Sequence, residues 1–112
     1  MFNSARSAWL AAREKSELFD RLNRVSRRGI NDYGMLGTRV SNTDRIMFEL
    51  WTSDVGRVLR EIDSKYGTWY SSRFASAQRF SRGDLKNDFV DSLRALTDIM
   101  RDFSSLDIYN RY

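Results

Sequence analysis

The sequence contains no cysteine, no histidine and no proline, and each absence excludes a class of structure or chemistry. Without cysteine there are no disulfides and no thiolate metal sites, which rules out a small secreted protein held together by disulfides. Without histidine the commonest metal ligand and the commonest general base at neutral pH are missing. The lack of proline favours long, uninterrupted helices.

Two longer patterns are also missing. Charged residues, among them Arg6, Arg13 and Glu14, interrupt the N-terminal region where a secretory signal needs an apolar run. No apolar stretch reaches the roughly 18 residues that a membrane-spanning helix requires. We therefore expect an intracellular protein that is neither secreted nor inserted in a membrane. At 112 residues, we expect a single helical domain over 1–112.

Arginine is what the sequence has in excess. Of the 19 basic residues sixteen are arginine and three are lysine, against 15 acidic residues, and the formal net charge is +4. Arginine presents a planar fork of donors that binds phosphate or carboxylate, whereas lysine is a point charge. The bias indicates contact with anions. Arginine- and serine-rich composition also suggests a small viral or mobile-element protein.

Apolar residues recur at helical spacing in four segments, which predicts an all-α bundle of about four helices at 4–28, 42–66, 71–82 and 85–103. We expect the chain to be organised around the second helix, which Gly67 follows where a left-handed residue commonly ends a helix. Its core stripe is predicted to contain Trp51, Val55, Val58, Ile62 and Tyr66, flanked by Met47 and Leu59. An open helical dimer, in which this stripe pairs with its own copy, is the alternative architecture.

The connecting segments are less regular than the helices. Residues 29–40 contain three glycines and are predicted to form a loop, which begins where the first helix stops at Gly29. This loop lacks the Lys-Ser/Thr ending of a phosphate-binding loop, so a nucleotide site is not expected there. Residues 104–112 form a tail whose structure the pattern does not determine.

The candidate binding residues lie in two windows, 21–31 and 64–83, that are rich in basic residues and contain no acidic residue. In the first window Arg21 and Arg24 have an acid one turn upstream, Glu17 and Asp20. Clustered arginines repel one another unless an anion is bound, so these windows are where a phosphate backbone would be contacted. The candidate nucleic-acid-binding residues are Arg21, Arg24, Arg27, Arg28, Lys65, Arg73, Arg79 and Arg82.

Other charges have partners at helical spacing. Arg57 has Asp54 and Glu61 within about one turn, and Arg60 has Asp63, which is typical of a solvated helix face. On the fourth helix one side contains Asp84, Asp88, Asp91, Asp98 and Asp102. We interpret that acidic side as solvated, or else as complementary to the arginines of a second copy.

Aromatic residues are interleaved with the arginines of the second window. Tyr70, Phe74 and Phe80 have near-helical spacing, and we expect them in the core rather than in a stacking platform for unpaired bases. For Trp9 and Trp69 the pattern leaves both a core position and an exposed contact position open.

These features predict a non-enzymatic protein that binds the phosphate backbone of duplex RNA or DNA through rows of arginines, without cofactor or metal. We expect a homo-oligomer, and a viral or mobile-element protein that sequesters or coats RNA or DNA would fit. The alternative function is a helical adaptor or inhibitor that binds an acidic protein surface through the same arginines and exposed aromatic residues.

Overall fold

A computed structural model describes residues 2–33, 42–79 and 85–106. The described residues form four helices: α1 (Phe2–Tyr33), α2 (Asn42–Tyr66), α3 (Tyr70–Arg79) and α4 (Leu85–Ser104). The predicted all-α class is therefore confirmed. The bounds of α2 agree with the prediction, α3 begins one residue earlier than expected, and α4 ends one residue later. The predicted end of the third helix at residue 82 lies outside the described residues.

The helices form an antiparallel bundle in which α1 packs against α2 and α4, and α3 packs against the same two helices. Two ion pairs define the direction of α1 and α2, because Arg21 contacts Glu61 whereas Arg28, further along α1, contacts Asp54, which comes earlier in α2. The bundle measures 60 × 23 × 18 Å. This elongated shape is the up-down-up-down arrangement that short connections favour.

Trp51 joins all four helices at one end of the core. From α2, its indole Nε1 donates a hydrogen bond to the carbonyl oxygen of Val25 in α1, at 2.7 Å. The ring centroid lies 6.2 Å from that of Phe74 in α3 and 5.5 Å from that of Phe89 in α4. The side chain is 1% exposed, and the hydrogen bond to Val25 satisfies its one polar group inside the core.

Phe103 of α4 has the corresponding position at the other end of the core. Its ring centroid lies 6.4 Å from Phe19 of α1, 5.6 Å from Tyr66 of α2 and 6.1 Å from Tyr70 of α3. Lys15 of α1 covers this ring at 5.8 Å and donates hydrogen bonds to two carbonyl oxygens at the C-terminal end of α4. A cation is favourable there because the helix dipole places negative charge at that end.

The prediction that the first helix ends at Gly29 is wrong, because α1 continues to Tyr33. Gly29 is buried against the indole of Trp51, and a Cβ added to Gly29 would lie 2.6 Å from Nε1 of that ring. The glycine therefore allows the two helices to approach closely instead of ending α1. Residues 34–40 of the predicted loop lie outside the described residues.

Burial tests the predicted core positions. All five residues of the α2 stripe are buried, as is Leu59, but Met47 is 48% exposed and does not belong to the core. Tyr70 and Phe74 are core residues as predicted, and Phe80 lies outside the described residues. Asp88, expected on a solvated side of α4, is instead buried.

Asp63 organises the corner between α2 and α3. Its main-chain oxygen accepts a hydrogen bond from the N–H of Gly67 at 2.8 Å, and Gly67 has a φ of 65°, which confirms the predicted left-handed end of α2. The carboxylate accepts hydrogen bonds from the N–H groups of Tyr70 and Ser71 and from the hydroxyls of Thr68 and Ser71. One residue thus ends α2 and caps the first turn of α3.

The hydrogen bonds at this corner shift the pKa of Asp63. Partial burial, the largest single influence, raises the pKa, but the four hydrogen bonds together outweigh it and the pKa is lowered. Since the folded-state pKa lies below the ordinary value of 3.8, the ionised carboxylate stabilises the fold above that value. This contribution is lost as the pH falls through the lower, folded-state pKa.

Gly29→Ala should lower the free energy of unfolding by about 1–3 kcal/mol, because the new methyl group would overlap the indole of Trp51. Gly56→Ala is the matched control. A Cβ at Gly56 would meet the end of the flexible Arg60 side chain at 3.5 Å, so this variant should gain about 0.5–1 kcal/mol from helix propensity. Urea unfolding followed by circular dichroism measures both. Equal stabilisation of the two variants would contradict the close contact at Gly29.

Asp63→Ala should cost about 1–2 kcal/mol at neutral pH, because the first turn of α3 loses its cap. Asp20→Ala, at an exposed position of α1, should stay within about 0.5 kcal/mol of the parent. The difference between the parent and Asp63→Ala should shrink below about pH 4, where the carboxyl becomes protonated. Urea unfolding from pH 7 to pH 3 tests this, and a difference that is independent of pH would exclude the ionised cap.

Candidate nucleic-acid interface

The predicted binding residues fall on three helices. The structure places Arg21, Arg24, Arg27 and Arg28 on α1, Lys65 on α2 and Arg73 on α3. Arg79 is the last residue of α3, and its side chain is not among those described. Arg82 lies outside the described residues.

Four of these side chains form ion pairs between helices. The pairs are Arg21–Glu61 at 2.8 Å, Arg28–Asp54 at 2.5 Å, Lys65–Glu14 at 3.1 Å and Arg73–Asp102 at 2.5 Å. All four are partly exposed to solvent, so each contributes little to stability. Their charges are nevertheless matched within the bundle, whereas the sequence predicts no acidic partner for Arg28 and Arg73.

The pair between Arg21 and Glu61 stabilises the charged form of both side chains. The hydrogen bond from Arg21 is the main cause that lowers the pKa of Glu61, and the same hydrogen bond is the main cause that raises the pKa of Arg21. Both groups therefore stay ionised around neutral pH.

Arg24 and Arg27 differ from their neighbours on α1. Both side chains are exposed, and neither forms an ion pair or a hydrogen bond with any described residue. They lie three residues apart, or about one helical turn, on the outer surface of the helix. Among the predicted binding residues whose side chains the structure describes, these two keep their donors available to a ligand.

The expected pairing of two arginines on α2 needs correction. Arg60 does not pair with Asp63, which caps α3, and it has no ion pair among the described side chains. Arg57 keeps a long contact of 3.7 Å with Asp54, whose other carboxylate oxygen binds Arg28 at 2.5 Å. The Arg57 side chain is 73% exposed. Both arginines can therefore contact an anion.

Arg24 and Arg27 on α1 and Arg57 and Arg60 on α2 are exposed on two helices that pack together, and we name these four residues the α1–α2 face. The flanking pairs Arg21–Glu61 and Arg28–Asp54 place Arg24 at nearly the same level as Arg57. With a rise of about 1.5 Å per residue, all four arginines fall within about 10 Å along the bundle axis. The geometry therefore concentrates cations that are far apart in the sequence.

The two sequence windows do not share this surface as a whole. Lys65 lies at the α1–α2 contact, whereas Arg73 is held on the other side of the bundle by Asp102 of α4.

For Trp9 and Trp69 the sequence leaves both a core position and an exposed position open. Both are exposed in the structure, Trp9 at 59% and Trp69 at 77%.

No family model, curated protein or solved structure matches the chain. The geometry is thus the basis for any functional proposal. Within residues 2–33, 42–79 and 85–106, no helix is long and apolar enough to cross a membrane. The same part of the chain contains no group of three acidic side chains placed to hold a metal ion.

A signal for the pairs between helices was present in the sequence. Arg21 and Arg28 are seven residues apart, and so are Asp54 and Glu61. Seven residues make about two helical turns, so both pairs form together once α1 and α2 lie antiparallel in this register. Matched spacing between helices, rather than neighbours within one helix, would have identified the partners.

Proposed function

We propose that this is a non-enzymatic nucleic-acid-binding protein that contacts the phosphate backbone of duplex RNA or DNA through the α1–α2 face. The observation that supports the proposal is the grouping of four exposed arginines, of which Arg24, Arg27 and Arg60 have no ion pair among the described residues. Guanidinium groups bind phosphate with two parallel hydrogen bonds. Rigid helices would hold these groups in a fixed arrangement.

The charge balance of the α1–α2 face supports binding to an anion. The cations at the contact between the two helices are cancelled by their own acidic partners. Asp20, which is exposed on α1, offsets one of the four remaining arginines. The excess positive charge would attract a phosphate backbone over a distance of about 8–10 Å at physiological salt.

Backbone contact has consequences for specificity. Phosphate contacts fix the position of a protein on a duplex but do not distinguish sequences. A protein of this kind would cover RNA or DNA regardless of sequence, inside a cell. A small viral or mobile-element protein that sequesters or coats its nucleic acid would act in this way.

Arg24→Ala combined with Arg27→Ala should weaken binding to every duplex sequence alike. With about four phosphate contacts, the parent should show a log–log salt dependence of about −3 to −4, and the double variant should flatten this slope by about two. Fluorescence anisotropy with a labelled duplex, measured over a series of salt concentrations, gives both values. The melting temperature should not change, because neither side chain has an ion pair among the described residues.

The matched control is Arg94→Ala combined with Arg101→Ala on α4, which removes the same charge from another exposed surface. This control should leave the salt slope close to that of the parent. Equal effects of the two double variants would show that net charge, not the α1–α2 face, determines binding. If no duplex binds even at low salt, the proposal fails and a helical adaptor for an acidic protein becomes the better explanation.

We also propose that the protein acts as a homodimer. Two linked copies double the number of arginines on one duplex, and linked sites bind more tightly than either site alone. Large apolar side chains exposed on the single chain support self-association: Trp9, Leu10, Ile46, Met47, Leu50 and Trp69.

Light scattering coupled to size exclusion, on protein freed of nucleic acid by nuclease and a high-salt wash, should give about twice the chain mass of 13.2 kDa. A mass of 13.2 kDa at every accessible concentration would reject the homodimer.

A further inference from the structure

The N-terminal part of α1 extends beyond the other helices. Glu14 pairs with Lys65, next to the last residue of α2, and Lys15 binds the C-terminal end of α4. The residues of α1 that precede Glu14 therefore continue past the ends of both neighbouring helices. We name residues 6–13 the arm.

One face of the arm has a regular composition. Arg6, Trp9, Leu10 and Arg13 are all exposed and have the spacing i, i+3, i+4 and i+7, which places them on one side of a helix. Helices that bind in a groove present anchors at this spacing. Two apolar anchors between two arginines would fit a groove with an apolar floor and an acidic rim.

The bundle contains an open groove between α3 and α4 with an aspartate in its lining. It is open to solvent, has a volume of about 450 Å³, and is lined by Trp69, Ser72, Arg73, Ser76, Ala77, Ala95 and Asp98. The charge of Arg73 is matched by Asp102 of α4. The floor of the groove consists largely of small side chains, which leave room for larger ones. Asp91 lies on the same side of α4 as Asp98, two turns earlier, and has no ion pair with a described residue. Asp98 has a long contact of 3.9 Å with Arg101.

The arm matches one side of α4 at the groove in spacing, and the charges at the matched positions are opposite. Arg6, Leu10 and Arg13 lie at i, i+4 and i+7, as do Asp91, Ala95 and Asp98. When two helices pack side by side in parallel, the arginines can therefore face the aspartates while a large leucine lies over a small alanine. The chain has a seven-residue match of the same kind between α1 and α2, where Arg21 and Arg28 pair with Glu61 and Asp54.

The arm cannot reach the groove of its own chain. It belongs to one continuous helix, α1, which packs against α2 and α4. The arm precedes Glu14 and so continues beyond the ends of these helices, away from the groove between α3 and α4. The eight residues of the arm span about 12 Å, and the ten residues of α3 beside the groove span about 15 Å, so their lengths are compatible.

We propose that the arm of each copy docks in the α3–α4 groove of a second copy. This exchange is reciprocal, and it rests on the homodimer proposed above. Arg13 now donates a hydrogen bond to Glu17 of its own helix at 3.2 Å and lies over the Trp9 ring at 5.5 Å. An exposed pair of this kind is weak, so Arg13 can exchange Glu17 for an aspartate of the partner.

Charge reversal tests the docking. The arm variant contains Arg6→Glu and Arg13→Glu, and the groove variant contains Asp91→Arg and Asp98→Arg. In either variant alone, like charges would meet at both contacts, and each should elute as a monomer at concentrations where the parent is a dimer. Mixed in equal amounts, the two variants should form a heterodimer, because every contact then joins opposite charges. Light scattering of nucleic-acid-free protein measures the mass, and circular dichroism verifies that each variant is folded.

Each outcome of this experiment is decisive for the arm. If either variant remains a dimer alone, or if the folded variants stay monomeric when mixed, the docking is wrong while the homodimer itself stands. A second pair of variants, Leu10→Ala and Ile30→Ala, gives a test without charge reversal. Ile30 is 46% exposed on α1 outside the arm. The first variant should raise the dimer dissociation constant at least tenfold and the second should not. A parent that is monomeric at all concentrations rejects both the homodimer and the docking.

Discussion

The close contact between Trp51 and α1 is the constraint on which the rest of the bundle depends. The indole donates its hydrogen bond to the carbonyl oxygen of Val25, and the missing side chain of Gly29, one turn later, leaves space for the ring. The same ring packs against Phe74 and Phe89, so its position also determines how α3 and α4 approach. With α1 and α2 fixed in this register, Arg24 and Arg57 come to the same level. The candidate interface is therefore a consequence of how one aromatic side chain is packed.

The sequence predicts α2 well because local signals agree there. Its apolar period, its helix-ending Gly67 and its uninterrupted length all indicate the same element, and the structure begins and ends α2 as expected. Gly29 is ambiguous in the sequence because a glycine indicates either a helix end or a close approach. The partner that decides between these, Trp51, is 22 positions away in the sequence, and only the packed core brings the two together.

The candidate site was harder to predict than the fold. Reasoning from neighbours within one helix finds acids up to about four residues away, but Arg28 and Arg73 are paired with residues 26 and 29 positions away. Asp63 shows the same limitation from the acidic side. The sequence predicts a solvated pair between its carboxylate and Arg60, but the carboxylate caps α3 instead. The turn after Gly67 brings the free N–H groups at the start of α3 to Asp63.

The three tryptophans have an optical consequence. Trp51 is buried in the core, Trp9 lies on the arm, and Trp69 lines the α3–α4 groove, so each reports on a different part of the molecule. In a single copy the two exposed rings are accessible to a dissolved quencher, whereas the buried ring is protected until the bundle opens. Intrinsic fluorescence can thus follow a change at the surface separately from unfolding of the core. With two of the three replaced by phenylalanine, the remaining emission comes from one known position.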